Sequence, residues 1–109
     1  MRGTVARPIE LHDSEDDFAF KMRDHLLAPA YEPNDILLVD PAGTPVELGY
    51  CLFVRDPKAD PLEAIPRRLV KVVDGFWIVR QYKPAEIDTE LSRKEYPHAW
   101  PIFGKYNAR

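Results

Sequence analysis

The sequence predicts a mainly β domain built from short antiparallel strands, and three observations lead to this fold class. First, 11 prolines spread from Pro8 to Pro101 leave few stretches long enough for a helix. Second, short apolar runs recur between turn-forming residues, which is typical of strands. Third, an Asp-Gly pair separates two such runs and indicates a hairpin. The 109 residues, 45% hydrophobic and 30% charged, fit one globular domain.

Residues 1–16 are polar and acidic toward their end, so we assign them to an N-terminal arm and residues 17–109 to the domain. The first strand is predicted over 18–22, where Phe18, Phe20 and Met22 alternate with Ala19 and Lys21. The next segment, 23–35, holds two prolines and leaves room for one helical turn at most, around His25 to Ala28. The apolar runs ILLV at 36–39 and YCLFV at 50–54 predict two further strands.

A hairpin is predicted over 67–82, with Asp74 and Gly75 as a type I′ loop. Its expected cross-strand pairs are Val73–Phe76, Val72–Trp77, Lys71–Ile78, Val70–Val79, Leu69–Arg80 and Arg67–Tyr82. One face is then apolar and predicted to join the core, through Val70, Val72, Trp77 and Val79. The other face is half polar and is the candidate interface, with Arg67, Leu69, Lys71, Phe76, Ile78, Arg80 and Tyr82.

The C-terminal part is predicted to contain a long irregular stretch followed by one strand. Residues 83–100 include Pro84 and Pro97 and lack a continuous apolar run, so we expect no strand there and place His98 in a loop. The closing strand is PIFGKY at 101–106, where Gly104 indicates a bulge.

Composition excludes several classes of function. A net charge of −3 gives no basic surface for phosphates, so we expect no direct DNA binding by this chain alone. One cysteine, Cys51, lies in an apolar run and cannot form an internal disulfide, which favours a reducing, cytoplasmic location. No segment is typical of a signal peptide or a membrane helix, and no spacing is typical of a cofactor or metal site.

Three segments, in order, carry a resemblance to a known family. The stretch FAFKMRDHLLAPAYEPNDILLVDP at 18–41 contains Pro29, the pair Asn34-Asp35 and an apolar strand ending in Val-Asp. It is followed by IPRRLVKVVDGFWIVRQYKP and then by PIFGKY. Together they resemble the C-terminal serine peptidase domain of LexA and the phage repressors, over residues 17–106. The resemblance implies the complex β fold shared by LexA and signal peptidase.

The resemblance also implies that the peptidase chemistry is lost. The family's nucleophilic serine falls at Leu26, the methionine after it at Leu27, and the general-base lysine at Arg67. Leucine has no nucleophilic atom, and a guanidinium stays protonated at neutral pH. Lys71 lies four residues beyond Arg67 and, by alternation, on the same face, so a shifted alignment would make it the base instead.

The expected function is therefore non-catalytic. The resemblance implies dimerisation, as a homodimer or a heterodimer with a related repressor, in transcriptional regulation, with no cofactor. The DNA-binding head is absent from these residues, so the chain is either a piece of a longer repressor or a separate regulator. The candidate cleft or interface residues are His25, Leu27, Lys71, Phe76, Ile78 and Arg80, and we interpret His25 as a solvent-facing turn residue. Two alternatives stay open: an active peptidase using misaligned residues, and a module that binds a peptide in the vacated cleft.

Overall fold

The computed structural model describes residues 18–106, and these form a single mainly β unit without any helix. The predicted N-terminal arm lies outside the described residues. Seven antiparallel strands make one sheet in the order β1-β2-β7-β3-β4-β5-β6. Their bounds are Phe18–Lys21 (β1), Ile36–Val39 (β2), Tyr50–Asp56 (β3), Glu63–Val73 (β4), Phe76–Gln81 (β5), Ile87–Ser92 (β6) and His98–Tyr106 (β7). The predicted fold class is confirmed. None of the residues 18–106 forms a helix of the length and apolarity needed to cross a membrane.

The last strand, β7, joins the two halves of the sheet. Its first half pairs with β3 and its second half with β2. The register shifts along the β2 pairing, because Val39 lies opposite Ile102 and Leu38 opposite Gly104, which leaves Phe103 as the extra residue. The bulge indicated by Gly104 is thus present beside it. A Cβ at 104 would come within 3.3 Å of Leu38 Cδ1, so the close packing against β2 favours glycine there.

The central strand β3 is buried on both faces, which explains its continuous apolar sequence. Cys51 and Phe53 point into one core cluster, together with Leu69, Trp77, Val79 and Ala99. Leu52 and Val54 point into the other, together with Met22, Leu27, Leu37, Val39 and Ile102. The second cluster fixes the loop between β1 and β2 against the sheet, because Met22 and Leu27 lie in that loop.

The hairpin of β4 and β5 forms around Asp74 and Gly75 as predicted, but with a different turn. Gly75 has a φ of 81°, whereas Asp74 does not lie in the left-handed region. A type I′ turn needs a positive φ at both residues, and a type II turn needs it only at the second. The type I′ prediction is therefore wrong, since only the glycine takes the conformation that disfavours a Cβ.

The predicted register holds near the turn and fails beyond a bulge at Val70. The pairs Val73–Phe76, Val72–Trp77 and Lys71–Ile78 are confirmed, but the next pairs are Leu69–Val79 and Arg68–Arg80. The predicted pairs Val70–Val79, Leu69–Arg80 and Arg67–Tyr82 are wrong, because one extra residue in β4 reverses which face each earlier side chain occupies.

The bulge also changes the composition of the two hairpin faces. Leu69, and not Val70 as predicted, packs in the core with Trp77 and Val79. The bulge therefore buries leucine, the larger of these two apolar side chains. Val72, also predicted to be in the core, is 44% exposed. Arg67, paired with Cys51 of β3, shares the face of Leu69, and Lys71 shares the face of Ile78. Arg67 and Lys71 thus lie on opposite faces of β4, contrary to the prediction.

The stretch 83–100 is not irregular throughout, contrary to the prediction. It contains all of β6 and the start of β7, so that His98 begins a strand rather than lying in a loop. Strand β6 is the edge of the sheet and is mostly exposed, which is why it lacks an apolar run. Pro84 and Pro97 flank β6 instead of interrupting it.

Candidate functional site

The loop between β1 and β2 carries the positions that the resemblance assigns to the nucleophile. Backbone hydrogen bonds close its base, since Met22 N–H donates to the Asp35 carbonyl oxygen and Asn34 N–H donates to that of Met22, each at 2.8 Å. A tight turn follows, in which Ala28 N–H donates to the His25 carbonyl oxygen at 3.0 Å. His25 is exposed, as interpreted from the sequence.

Leu26 and Leu27 have different environments. The Leu27 side chain is 0% exposed and belongs to the core, whereas Leu26 is half-buried. The backbone of Leu26 holds the turn in place, because its carbonyl oxygen accepts hydrogen bonds from Tyr82 N–H at 2.6 Å and Lys83 N–H at 3.1 Å. These bonds fasten the turn to the chain that leaves β5.

Asp24 is hydrogen-bonded to Leu26 and lies near enough to Arg67 for its charge to act on the guanidinium. The Asp24 carboxylate accepts a hydrogen bond from Leu26 N–H at 3.0 Å. Burial lowers the pKa of the Arg67 guanidinium, while the nearby charge of Asp24 and then Tyr96 raise it. Arg67 also donates from Nη1 to the Pro66 carbonyl oxygen at 2.6 Å. The two positions therefore lie near one carboxylate, but they bring together an alkyl side chain and a cation, which cannot form a nucleophile–base pair.

Two other candidates for base and nucleophile, Lys71 and Ser92, lie away from this pair of positions. Lys71 is exposed and opposite Ile78, on the face of β4 that Arg67 does not occupy. Ser92 ends β6, and its hydroxyl accepts a hydrogen bond from Lys94 N–H at 3.1 Å. Ser92 and the exposed Lys94 line a cleft of about 620 Å³ near the hairpin loop, which contains neither Leu26 nor Arg67.

A smaller cleft, which we name the tyrosine–arginine cleft, adjoins the motif turn. Its volume is about 360 Å³. One wall is apolar and comes from the turn, through Leu27, Pro29 and Ala30. The other wall is polar and comes from the sheet, through Tyr50, Arg68 and Tyr82. Of the cleft or interface candidates named from the sequence, Leu27 lines this cleft and His25, Lys71, Phe76, Ile78 and Arg80 do not.

Arg68 organises the polar wall. Its Nε donates to the Leu48 carbonyl oxygen at 2.8 Å and its Nη1 donates to the Tyr82 hydroxyl at 2.7 Å. The guanidinium carbon also lies 5.3 Å from the centre of the Tyr50 ring, within the range of a cation–π contact. The pKa of Arg68 is raised, first by the hydrogen bond with Tyr82. The pKa of Tyr50 is raised as well, first by burial, so this phenol is protonated at neutral pH.

The floor of the cleft is braced by Tyr31 and β7. Tyr31 contacts Tyr50 edge-to-face with 4.9 Å between ring centres, and burial raises its pKa to about 12. Lys105 Nζ donates to the Ala30 carbonyl oxygen at 2.8 Å and forms an ion pair with the buried Asp35 at 3.3 Å. These contacts hold the wall of the cleft in place before any ligand arrives.

The candidate interface residues of the hairpin share one face with part of β6. Residues directly opposite each other in neighbouring strands lie on the same face. This hairpin face consists of Lys71, Val73, Phe76, Ile78, Arg80, Asp88, Glu90 and Ser92. Phe76 is 39% exposed and Ile78 is half-buried. Because Arg68 lies opposite Arg80, the hairpin face begins beside the tyrosine–arginine cleft.

Arg80 is engaged within this face. It forms two hydrogen bonds with the Asp88 carboxylate, at 2.7 and 3.1 Å, and lies 3.7 Å from Glu86. The pKa of Arg80 is raised and that of Asp88 is lowered, each first through this shared hydrogen-bonded pair. Arg80 is thus already neutralised within the sheet.

Sequence reasoning missed Tyr50, Arg68 and Tyr82 as a group. Tyr50 and Tyr82 come from different strand ends, and only the fold brings them to Arg68. The pair Arg67-Arg68 in β4 could have indicated an arginine at this cleft. Adjacent residues of a strand point to opposite faces, so one of the two arginines must lie on the face of the motif turn. Within residues 18–106, no three His, Cys, Asp or Glu side chains are placed to hold a metal ion.

Comparison of the chain with protein-family models, curated proteins and solved structures found no match.

Proposed function

We propose that this chain is a non-catalytic relative of the LexA and phage-repressor peptidase domains, and that it acts by protein association in transcriptional regulation. The order and spacing of the three sequence segments support this proposal. The backbone at Asn34 supports it too, because Asn34 stands where the family has glycine and has a φ of 74°. Glycine and asparagine are the residues that most readily take this left-handed conformation.

Loss of catalysis is supported by the two degenerate positions. The side chain of Leu26 has no nucleophilic atom, and its backbone carbonyl oxygen is hydrogen-bonded to the chain that follows β5. Arg67 supplies a cation where a neutral amine is needed. The alternative base Lys71 is exposed on the opposite face of β4, so the shifted alignment gains no support from the geometry.

The association role is supported most strongly by the apolar side chains that the hairpin face exposes to water. Trp77 and Val79 fill the core from one side of β5, and the intervening Phe76 and Ile78 point to the other side. Phe76 leaves 39% of its surface in water there. Burying such a side chain against a partner stabilises a complex by about 25 cal/mol per Å² of apolar surface removed from water.

The charges on this face suit a second copy of the same chain. Lys71 and Glu90 flank Ile78 from the two neighbouring strands, opposite in sign on either side of an apolar centre. In a two-fold symmetric contact the same surface of both copies meets, so Lys71 of one copy lies opposite Glu90 of the other. We therefore propose a homodimer through the hairpin face, and a related repressor that keeps this pattern would also be accepted.

Sedimentation equilibrium from low to high micromolar concentration tests this proposal. The wild-type chain is expected to dimerise, and Phe76→Ser is expected to weaken the dimer strongly. Val46→Ser is the matched control, because Val46 is 63% exposed and lies outside the hairpin face. A wild-type chain that stays monomeric at high micromolar concentration, or equal weakening by both variants, would contradict the association role.

The inactive state is tested separately with a fluorophosphonate probe and intact-mass measurement. We expect no adduct on the folded chain, whereas an adduct mapped to Ser92 or another hydroxyl would favour the active-peptidase alternative. A LexA-type substrate incubated with the chain at alkaline pH should likewise stay uncut.

A second function, peptide binding, is favoured by the tyrosine–arginine cleft. The cleft combines an apolar wall with a few converging polar groups, which is the usual composition of a ligand site. Its walls are fixed by contacts to β5 and β7, so little ordering is needed on binding. Titration of an isotope-labelled chain with peptides tests this role, and unchanged signals for the residues that line the cleft would exclude it.

A further inference from the structure

The guanidinium of Arg68 has unused hydrogen-bond donors at the tyrosine–arginine cleft. Arginine carries five N–H donors in a planar fork. In the described part of the chain, the Nε–H group donates to the Leu48 carbonyl oxygen and one N–H group of Nη1 donates to the Tyr82 hydroxyl. Among residues 18–106, no carboxylate lies within ion-pair distance of Arg68. The end of the fork, formed by Nη1 and Nη2, can therefore accept a ligand.

The existing contacts orient this fork instead of neutralising it. Leu48 and Tyr82 are neutral acceptors, and the Tyr50 ring supports the guanidinium from 5.3 Å. The neighbouring cation Arg80, by contrast, is satisfied by Asp88. Within residues 18–106, the charge of Arg68 is therefore held in a fixed position without a carboxylate partner. A planar carboxylate is the group that matches the end of a guanidinium with two parallel hydrogen bonds.

The rest of the cleft suits an apolar group next to that carboxylate. Leu27, Pro29 and Ala30 form the wall from the motif turn, and no charged side chain lies in it. The volume of about 360 Å³ is near the lower end of the range for ligand sites, roughly 300 to 1,000 Å³. A cleft of this size holds the end of a chain better than a long segment passing through.

We propose that the tyrosine–arginine cleft binds the carboxyl terminus of a peptide. The terminal carboxylate pairs end-on with Nη1 and Nη2 of Arg68, and the last side chain, an apolar one, packs on Leu27, Pro29 and Ala30. This inference rests on the second function proposed above, that the cleft holds a peptide. It is independent of dimerisation, which uses the hairpin face.

The test compares one peptide in two chemical forms. The full chain, isotope-labelled, is titrated with N-acetyl-Ala-Ala-Val-Leu as the free acid and as the carboxamide, and the amide signals are followed by NMR. The free acid should shift Ala30, Arg68 and Tyr82 and should bind at least about tenfold more tightly than the carboxamide, because a hydrogen bond to a charged group is lost in the amide.

Variants of two arginines, one inside the cleft and one outside it, provide the matched control. Arg68→Gln should weaken binding of the free acid about tenfold and abolish its advantage over the carboxamide. Arg55→Gln, at an exposed position of β3 that does not line the cleft, should leave both affinities unchanged. The comparison of acid with carboxamide on the wild-type chain needs no variant, so it decides the question even if Arg68→Gln fails to fold.

Each outcome separates this inference from the function on which it rests. If acid and carboxamide bind the cleft equally, the cleft holds peptides but recognition of a carboxylate is refuted. If neither form binds, both the peptide-binding function and this inference are refuted. If N-acetyl-leucine binds as tightly as the tetrapeptide acid, the site takes small carboxylic acids and the assignment to a peptide terminus is overturned.

Discussion

Substitution of the two adjacent leucines of the motif turn by alanine should have very different effects on stability. Leu27 is 0% exposed and packs in the cluster with Met22, Leu37 and Leu52. Leu27→Ala removes buried methyl groups and leaves a cavity, which costs about 2–5 kcal/mol. Leu26 is half-buried, and its hydrogen bonds are made by backbone atoms, which alanine keeps. Leu26→Ala should therefore cost only about 1 kcal/mol, for the partial loss of apolar burial.

Urea denaturation followed by tryptophan fluorescence measures both changes. The two tryptophans, Trp77 and Trp100, lie in strands β5 and β7 and report on the sheet rather than on the substituted turn. For a domain of this size, 1 kcal/mol shifts the melting temperature by about 4–8 °C, so a loss of about 2–5 kcal/mol should make Leu27→Ala melt roughly 8–40 °C below wild type. Equal losses for the two variants, or a larger loss for Leu26→Ala, would refute the proposed orientation of the turn.

Four further predictions concern other parts of the structure. Burial raises the pKa of Cys51 to about 12, so Cys51 should resist thiol reagents in the folded chain and react once urea unfolds it. The pKa of Tyr31 is also raised to about 12. The folded state thus holds the protons of the Cys51 thiol and the Tyr31 phenol more tightly than the unfolded state does, so the free energy of unfolding should fall as pH rises from about 9 to 12. A free energy of unfolding that does not change over this range would contradict the burial of these two side chains. Gly75→Val, at a φ of 81°, should lose about 1–2 kcal/mol while Gly75→Asn loses less, and equal losses would exclude backbone strain as the cause. Asp35→Ala should lower the free energy of unfolding by about 1–3 kcal/mol, because Glu32 N–H loses its acceptor and Lys105 loses its ion pair, keeping only its hydrogen bond to the Ala30 carbonyl oxygen. An unchanged midpoint of urea denaturation would contradict this prediction.

The strands that enter the core could be predicted because burial leaves a clear pattern. ILLV at 36–39 matches β2 residue for residue, since a strand buried between elements has a continuous apolar run. The hairpin loop was located by Asp74-Gly75. The edge strand β6 could not be predicted in this way, because IDTELS is mostly exposed and held by backbone pairing with β5.

The bulge at Val70 is the feature that limited prediction of the site. No glycine marks it, and a regular alternation through RRLVKVV is the simplest interpretation of the sequence. Because of this one added residue, Leu69 lies in the core where Val70 was predicted, and Lys71 lies on the face of β4 opposite to Arg67. The tyrosine–arginine cleft depends on long-range contacts, such as that of Arg68 with Tyr82, which a local pattern does not contain.

The association of the domain through the hairpin face is tested most directly by the concentration dependence of its nitrogen–proton NMR spectrum. From low to high micromolar concentration, we expect progressive shifts or broadening at Lys71, Phe76, Ile78 and Glu90, with the signals of Tyr31 and Leu37 unchanged. A spectrum that does not depend on concentration, or changes confined to another surface, would contradict the proposed function.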